Sequence, residues 1–279
     1  MIIEQDLKDQ LQTIADNNFS ISNEVKPFDL ALMMLDHIGS TDSYLRDNLI
    51  YTSFATWILD HHLFSHDELN QLLSIVLDEK HLFYRIGETN THSVFTRSFS
   101  VLLLPLLLIE NRTSAFLSEA AIQSIKSKLL QYIHDEQDLR GYTEAYGWAH
   151  AVAHMADAFD DLAQCSALDA HDLQAILQAI STKICVGTTY YIHEEDERMV
   201  TAVMSIINRN ILTEHDLAEW ITGFDIQLQQ SDQNPLNYTY FNTKQFLRSL
   251  YFRLQPKNGQ EKTVQVINQL LNKISHFKD

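Results

Sequence analysis

Along most of the chain, apolar residues recur every three to four positions, the spacing of helices that bury one face. The pattern runs through "YLRDNLIYTSFATWILDHH", "VFTRSFSVLLLPLLLIEN", "GWAHAVAHMADAFDDLAQ" and "DERMVTAVMSIINRN", and each of these is followed by a second periodic segment such as "ELNQLLSIVLDE" or "DLQAILQAISTKIC". Period-two alternation is nearly missing, so strands are not expected.

Between the paired segments stand "LFSHDEL", "FLSEAAI", "ALDAHDL" and "ILTEHDL". Each carries a helix-capping residue (Ser65, Ser118, Asp169, Thr213), and three of the four have an acid three places later, the signature of a capping box. The caps are 53, 51 and 44 residues apart. A unit therefore reads as helix A, short turn, helix B and a longer polar linker. A fifth unit begins at "NTKQFLRSLYFRL" and ends with "EKTVQVINQLLNKISHF", while "VKPFDLALMMLDHIG" forms an opening helix between Pro27 and Gly39. One such pair cannot bury its apolar faces alone, and stacked pairs share a core. The expected fold is all-α, a HEAT-like α-solenoid of helical hairpins, with a compact α/α bundle or toroid as the alternative. One domain over 1–279 is expected: N-terminal helices in 1–39, core repeats in 40–254 and a C-terminal capping helix in 255–279.

Composition sharpens this picture. Only 7 Gly and 4 Pro occur in 279 residues, so turns are few. Cys165 and Cys185 lie in apolar surroundings without CxxC spacing, which suits buried reduced thiols in a cytosolic protein. The N-terminus is acidic and amphipathic with no secretory pattern, and a cytoplasmic location is expected. The longest apolar run, Val101 to Ile109, holds a proline and is about half the ~20 residues that span a bilayer, so it reads as a core helix kinked at Pro105. A net charge of −17 argues against duplex nucleic acid as a partner. The charge is uneven: from Lys244 onward seven basic residues face two acidic ones, a net +5, which leaves −22 on the first 243 residues.

Within the repeat frame one polar position recurs in the first turns of the A helices. Arg46, Arg97, His150, Arg198 and Arg248 are separated by 51, 53, 48 and 50 residues. Carboxylates lie near each, so the row is either an Arg–carboxylate ladder that sets register or a surface that contacts a ligand. Aromatic residues gather in the linkers, Tyr142 and Trp148 among them, next to Arg140.

The stretch "RGYTEAYGWAHAVAHMADAFDDLAQ" is the densest in candidate chemistry. At about 100° per residue, His150, His154, Asp157 and Asp161 share one sector of a helix, with Val152, Met155, Phe159 and Leu162 opposite. The apolar stripe should face the core and the His/His/Asp stripe solvent or a groove. His150, His154 and Asp157 suit a divalent metal, with Glu144 as a general base, and solvated surface residues are the plain alternative. Ala151 after the first histidine excludes an HExxH site, and neither a GxSxG elbow nor a glycine-rich phosphate loop is present.

In "GSTDSYLRDNLIY", "FTRSFSVLLL", "RGYTEAYGWAHAVAHMAD", "EEDERMVTAV" and "FLRSLYFRL" the chain resembles DUF2785, a family of uncharacterised bacterial proteins, over roughly residues 35 to 255. The resemblance implies a bacterial helical-repeat protein and transfers no catalytic role. The leading expectation is a module that binds a peptide, protein or small polar ligand through Arg46, Arg97, Arg140, His150, Arg198, Arg248, Tyr142 and Trp148. Its rival is a metal-dependent hydrolase-like enzyme built on the His/His/Asp set.

Overall fold

The structure is a computed structural model that describes residues 3–22, 24–231 and 237–275. Among the described residues the regular structure is helical apart from one short two-stranded hairpin, in two compact units, Met1–Cys165 and Ser166–Asp279.

The first unit opens with α1 (Glu4–Asp16) and α2 (Pro27–Asp36), the latter with Pro27 at its first position. Next comes α3 (44–60), in which an α-helical turn, Thr52–Ala55, joins two π-helical stretches, Tyr44–Tyr51 and Thr56–Asp60. The first π stretch carries Arg46 into the interior, with Asp47 half-buried beside it. Then follow α4 (His66–Val76), α5 (Ser93–Ser114), α6 (Glu119–Asp135) and α7 (Ala151–Ala163). Helix α5 is the axis of this unit, packed against α3, α4 and above all α7. It runs on through Pro105, and although long and apolar enough to cross a bilayer, its most apolar stretch is 89% buried inside the protein.

The second unit holds α8 (Ala170–Ile184), α9 (Glu195–Asn208), α10 (Glu214–Gln230), α11 (Thr239–Leu254) and α12 (Glu261–Ile274). Here α9 packs on α11 and α10 on α12. Trp220, Phe224 and Phe246 meet at ring-centroid separations of 5.5 to 6.2 Å, and Trp220 Nε1 donates to Leu177 O at 2.9 Å. Part of the basic C-terminus, including Lys278, lies outside the described residues.

All four expected caps begin helices. Ser65, Asp169 and Thr213 form reciprocal capping boxes with Glu68, Asp172 and Asp216, and Ser118 accepts from Ala121 N at 3.2 Å. Helices α3, α5, α7, α9 and α11 start without a side-chain cap, and His150 and Glu194, just before α7 and α9, take left-handed backbone conformations at φ 46° and 69°.

One expectation is overturned here. The His150/His154/Asp161 stripe of α7 does not face solvent: all three are buried, as is the apolar stripe opposite, and only Asp157 and Asp160 of α7 are part-exposed. The reason lies in Ala151, Ala153, Ala156, Ala158 and Ala163, whose small side chains let neighbouring helices close on several sides at once. Helix α7 packs on both α5 and α6. A helical wheel shows which residues share a face, and it does not show how many faces are covered.

Candidate functional site

The stretch before α7 folds as a hairpin rather than the start of a helix. Strand β1 (Tyr142–Thr143) pairs antiparallel with β2 (Gly147–Trp148), in register Tyr142↔Trp148 and Thr143↔Gly147. Gly147 sits at φ 73°, and a Cβ there would press on Ser43, so the turn takes glycine on both counts. Ala149 N donates to Gly141 O at 2.8 Å and His150 N to Arg140 O at 3.1 Å. His150 then enters α7 in the left-handed region, which costs a non-glycine residue about 1–2 kcal/mol.

Arg46 holds the hairpin from α3. Its guanidinium lies over the rings of Phe95 and Phe99, 4.4 and 4.7 Å from their centroids. It donates to the carbonyls of Ser40 (2.7 Å), Tyr146 (2.8 Å) and Trp148 (3.3 Å). Asp47 supplies the countercharge 2.9 Å from Nε, off the axis of a hydrogen bond. Burial lowers the Arg46 pKa against the pull of Asp47, and burial raises that of Asp47.

Arg97 does the same for the linker before α5. Its Nε and Nη2 make a bidentate pair with Glu136 at 2.6 and 2.8 Å. The remaining donors go to Tyr84 O, Arg85 O, Glu88 O and Ser93 Oγ, all within 3.2 Å. Burial works to lower the Arg97 pKa, yet the hydrogen bonds and charge of Glu136 outweigh it and the net shift is upward. Glu88 is held below the usual carboxylate range, first by the Ser93 hydroxyl and then by Thr91. Arg140 clasps Asp138 at 2.6 and 2.8 Å and reaches Thr91 O at 2.6 Å.

Arg46 and Arg97 are thus 0% exposed, their guanidinium groups turned inward to carbonyls and carboxylates. In the second unit Arg198 is half-buried on the first turn of α9, whereas Arg248 is exposed, two turns beyond the start of α11, bonded to Gln245 at 3.0 Å. The first-turn position of α11 that binds a linker is Asn242, which reaches across to the α8–α9 linker: it donates to Val186 O and Thr189 O and accepts from Tyr191 N. Sequence spacing missed it because the search followed charge, and an amide does the same work on carbonyls.

The histidines form part of an aromatic chain. Trp148 stacks on His150 with centroids 4.2 Å apart, His150 meets His154 edge-on at 5.6 Å, and His154 meets Phe99 at 5.1 Å. His154 Nδ1 lies 2.8 Å from Ser98 Oγ and 3.2 Å from Ser98 O. Because the hydroxyl donates onward to Ala149 O and a carbonyl only accepts, Nδ1 carries the proton. Asp161 turns to Arg112 at 2.6 Å, and burial raises its pKa against that partner. Among the described residues no three His, Cys, Asp or Glu side chains are grouped to hold a metal ion, and Glu144 is exposed in the hairpin loop. The His150, His154 and Asp157 set is therefore not assembled as a three-ligand centre, and Glu144 has no assembled centre to serve as base.

Besides Glu144 and Ala145, the hairpin presents two large aromatic side chains to solvent. Tyr142 is 51% and Trp148 37% exposed, and their rings meet edge-to-face at 4.9 Å. Below them Tyr146 packs on the buried cluster of Val94, Phe95, Ala149 and Ala151, and contacts His92 at 4.5 Å.

No curated protein and no solved structure matches the chain. A family profile does: the one described as "Protein of unknown function (DUF2785)" matches residues 82–252, from within the α4–α5 linker into α11. The piece "GSTDSYLRDNLIY" falls outside that stretch, and the hairpin, α7 and the first-turn residues Arg97, Arg198 and Asn242 fall inside it. The chain belongs to the DUF2785 family.

Proposed function

We propose that the protein is a HEAT-like helical-repeat binding module that docks a peptide or protein partner on the Tyr142/Trp148 face of its hairpin. The observation that supports this is the pairing of exposure with rigidity. Two large aromatic side chains stand in solvent, yet the hairpin under them is fastened by Arg46 to two of its carbonyls and by the stack of Trp148 on His150. Pre-ordered aromatic anchors lose little entropy on binding, which is why Tyr and Trp dominate interaction hot spots. The buried Arg46 and Arg97 and the half-buried Arg140 serve the module as framework that holds the linkers in place.

A photo-crosslinking residue at Ala145, exposed at the hairpin tip, tests the reading in cells. A discrete crosslinked partner is expected, lost in Tyr142→Ser and Trp148→Ser with the melting temperature within a few degrees of wild type. Crosslinks that survive both substitutions would refute it, as would a collapse of stability in the Tyr142 variant.

A further inference from the structure

The first unit also contains a cavity of about 490 Å³, away from the hairpin face, between the start of α1, the end of α2, the 78–84 turn and α5. That volume is in the range of small-molecule sites. Gly39 forms part of its wall because a Cβ there would run into Thr96 of α5.

The polar groups of the wall divide into those already bonded and those left over. Glu4 is committed: it accepts from Ser40 Oγ at 2.6 Å and faces His37 Nδ1 at 3.7 Å. Asp78, which is not part of the wall, holds two residues that are, receiving Lys80 N at 2.7 Å and His81 Nδ1 at 2.8 Å. His81, a lining residue, is only 8% exposed and its ring is fixed through Nδ1. The side chains of Asp36 and Lys80 make no ion pair with any described residue, and the hydroxyls of Thr41, Tyr84 and Thr96 make no hydrogen bond to one. A carboxylate, an ammonium and three hydroxyls, none with a side-chain partner among the described residues, therefore line one space together with the imidazole of His81.

We infer that this cavity binds a zwitterion of amino-acid to dipeptide size, its ammonium on Asp36 and its carboxylate on Lys80 and the hydroxyl-bearing wall. A ligand carrying one charge would satisfy one of the two side chains and leave the other facing it unpaired, so both signs on the wall select both signs in the ligand. The buried His81 and Ser40 lend the site fixed polar groups rather than mobile surface chains.

The test is calorimetric titration of the full chain with the common α-amino acids and a set of dipeptides. The best ligand is then compared with its amide, its deaminated acid and a neutral sugar. The zwitterion should exceed each single-charge analogue by about fivefold or more. Asp36→Asn should bind the zwitterion and the deaminated acid equally, and Lys80→Gln the zwitterion and the amide equally. Thr41→Trp, which fills the cavity, should abolish binding of all of them. Asp36, Thr41 and Lys80 are exposed, so these variants keep the fold, checked by circular dichroism. The inference is overturned if no amino acid or dipeptide binds, if the sugar binds as tightly, or if discrimination survives the Asp36 and Lys80 substitutions. Because Tyr142 and Trp148 do not line this cavity, failure here leaves the hairpin reading standing, and the reverse holds too.

Discussion

Replacing Arg97 by alanine removes a guanidinium that makes two hydrogen bonds to Glu136 and three to linker carbonyls, in a place where Arg97 is 0% and Glu136 2% exposed. The cost follows from what is left behind. Glu136 keeps its charge in the interior with its main partner gone, and breaking one side of a buried pair costs about 3–5 kcal/mol. In a unit of this size each kcal/mol moves the midpoint by about 2–4 °C, so the melting temperature should fall by roughly 10 °C. Urea unfolding followed by tryptophan fluorescence in a Trp220→Phe background reads this unit alone, since Trp57 and Trp148 both belong to it. Replacing both partners by similar-sized apolar residues, Arg97→Met with Glu136→Leu, should recover much of the loss, because no lone charge is then buried. A loss below about 1 kcal/mol for the single variant, or a double variant as unstable as the single, would show that Arg97 is not the structural clasp described here.

Three further outcomes follow from other sites. His154→Ala should destabilise the first unit by about 2–4 kcal/mol, through the cavity left beside Phe99 and the unanswered Ser98 groups, with part recovered in His154→Gln; an unaltered denaturation midpoint would contradict the packing of α7 on α5. Asp225 is held below its ordinary value of 3.8 chiefly by the hydrogen bond from Lys273, with burial opposing. Folding thus favours the charged carboxylate, and the stability it contributes is complete above 3.8 and fades as pH drops through the lower folded value. Asp225→Asn should flatten that part of the acid unfolding curve, and an unchanged curve would remove the pair from the account. Burial pushes the Cys185 thiol up to about 11, with Thr243 opposing, so at pH 8 it should react with a disulfide reagent on the order of a hundredfold slower than an exposed thiol. Rapid labelling of Cys185 under native conditions, located by mass spectrometry, would refute this.

Helix starts with a polar side chain at the cap were legible residue by residue. Ser65, Ser118, Asp169 and Thr213 act within three residues of themselves, so their geometry is written in neighbouring letters. The start of α7 was not, because a left-handed His150 is stable only where the rest of the unit holds it; α9 begins at Glu195, one residue before the segment read from the sequence, and only its left-handed Glu194 was hidden. The hairpin escaped notice for a related reason. Two residue pairs carry too little alternation to register, and the hairpin is secured by Arg46, one hundred residues away from Tyr146 in the chain.

The regular spacing of Arg46, Arg97 and His150 was real as a pattern and silent about direction. A side chain on the first turn of a helix can turn outward to a ligand or inward to carbonyls, and the choice depends on whether a linker with unpaired C=O groups lies within reach. For Arg46 and Arg97 it does. Arg248 lies two turns further along its helix, exposed, and among the described residues it bonds to Gln245. Cysteines show the opposite case: Cys165 and Cys185 were expected as thiols in apolar surroundings, and neither forms a disulfide.

The amino-acid sequence by itself determined the all-helical class, the boundaries set by capping residues, the buried character of α5 and the family, since each depends on local spacing or on motif letters. Tertiary structure alone decided which polar residues are framework and which are surface. Burial depends on every neighbour at once, so five alanines on α7 drew His150 and His154 inside, and the cavity beside Asp36 and Lys80 exists only where four distant segments meet.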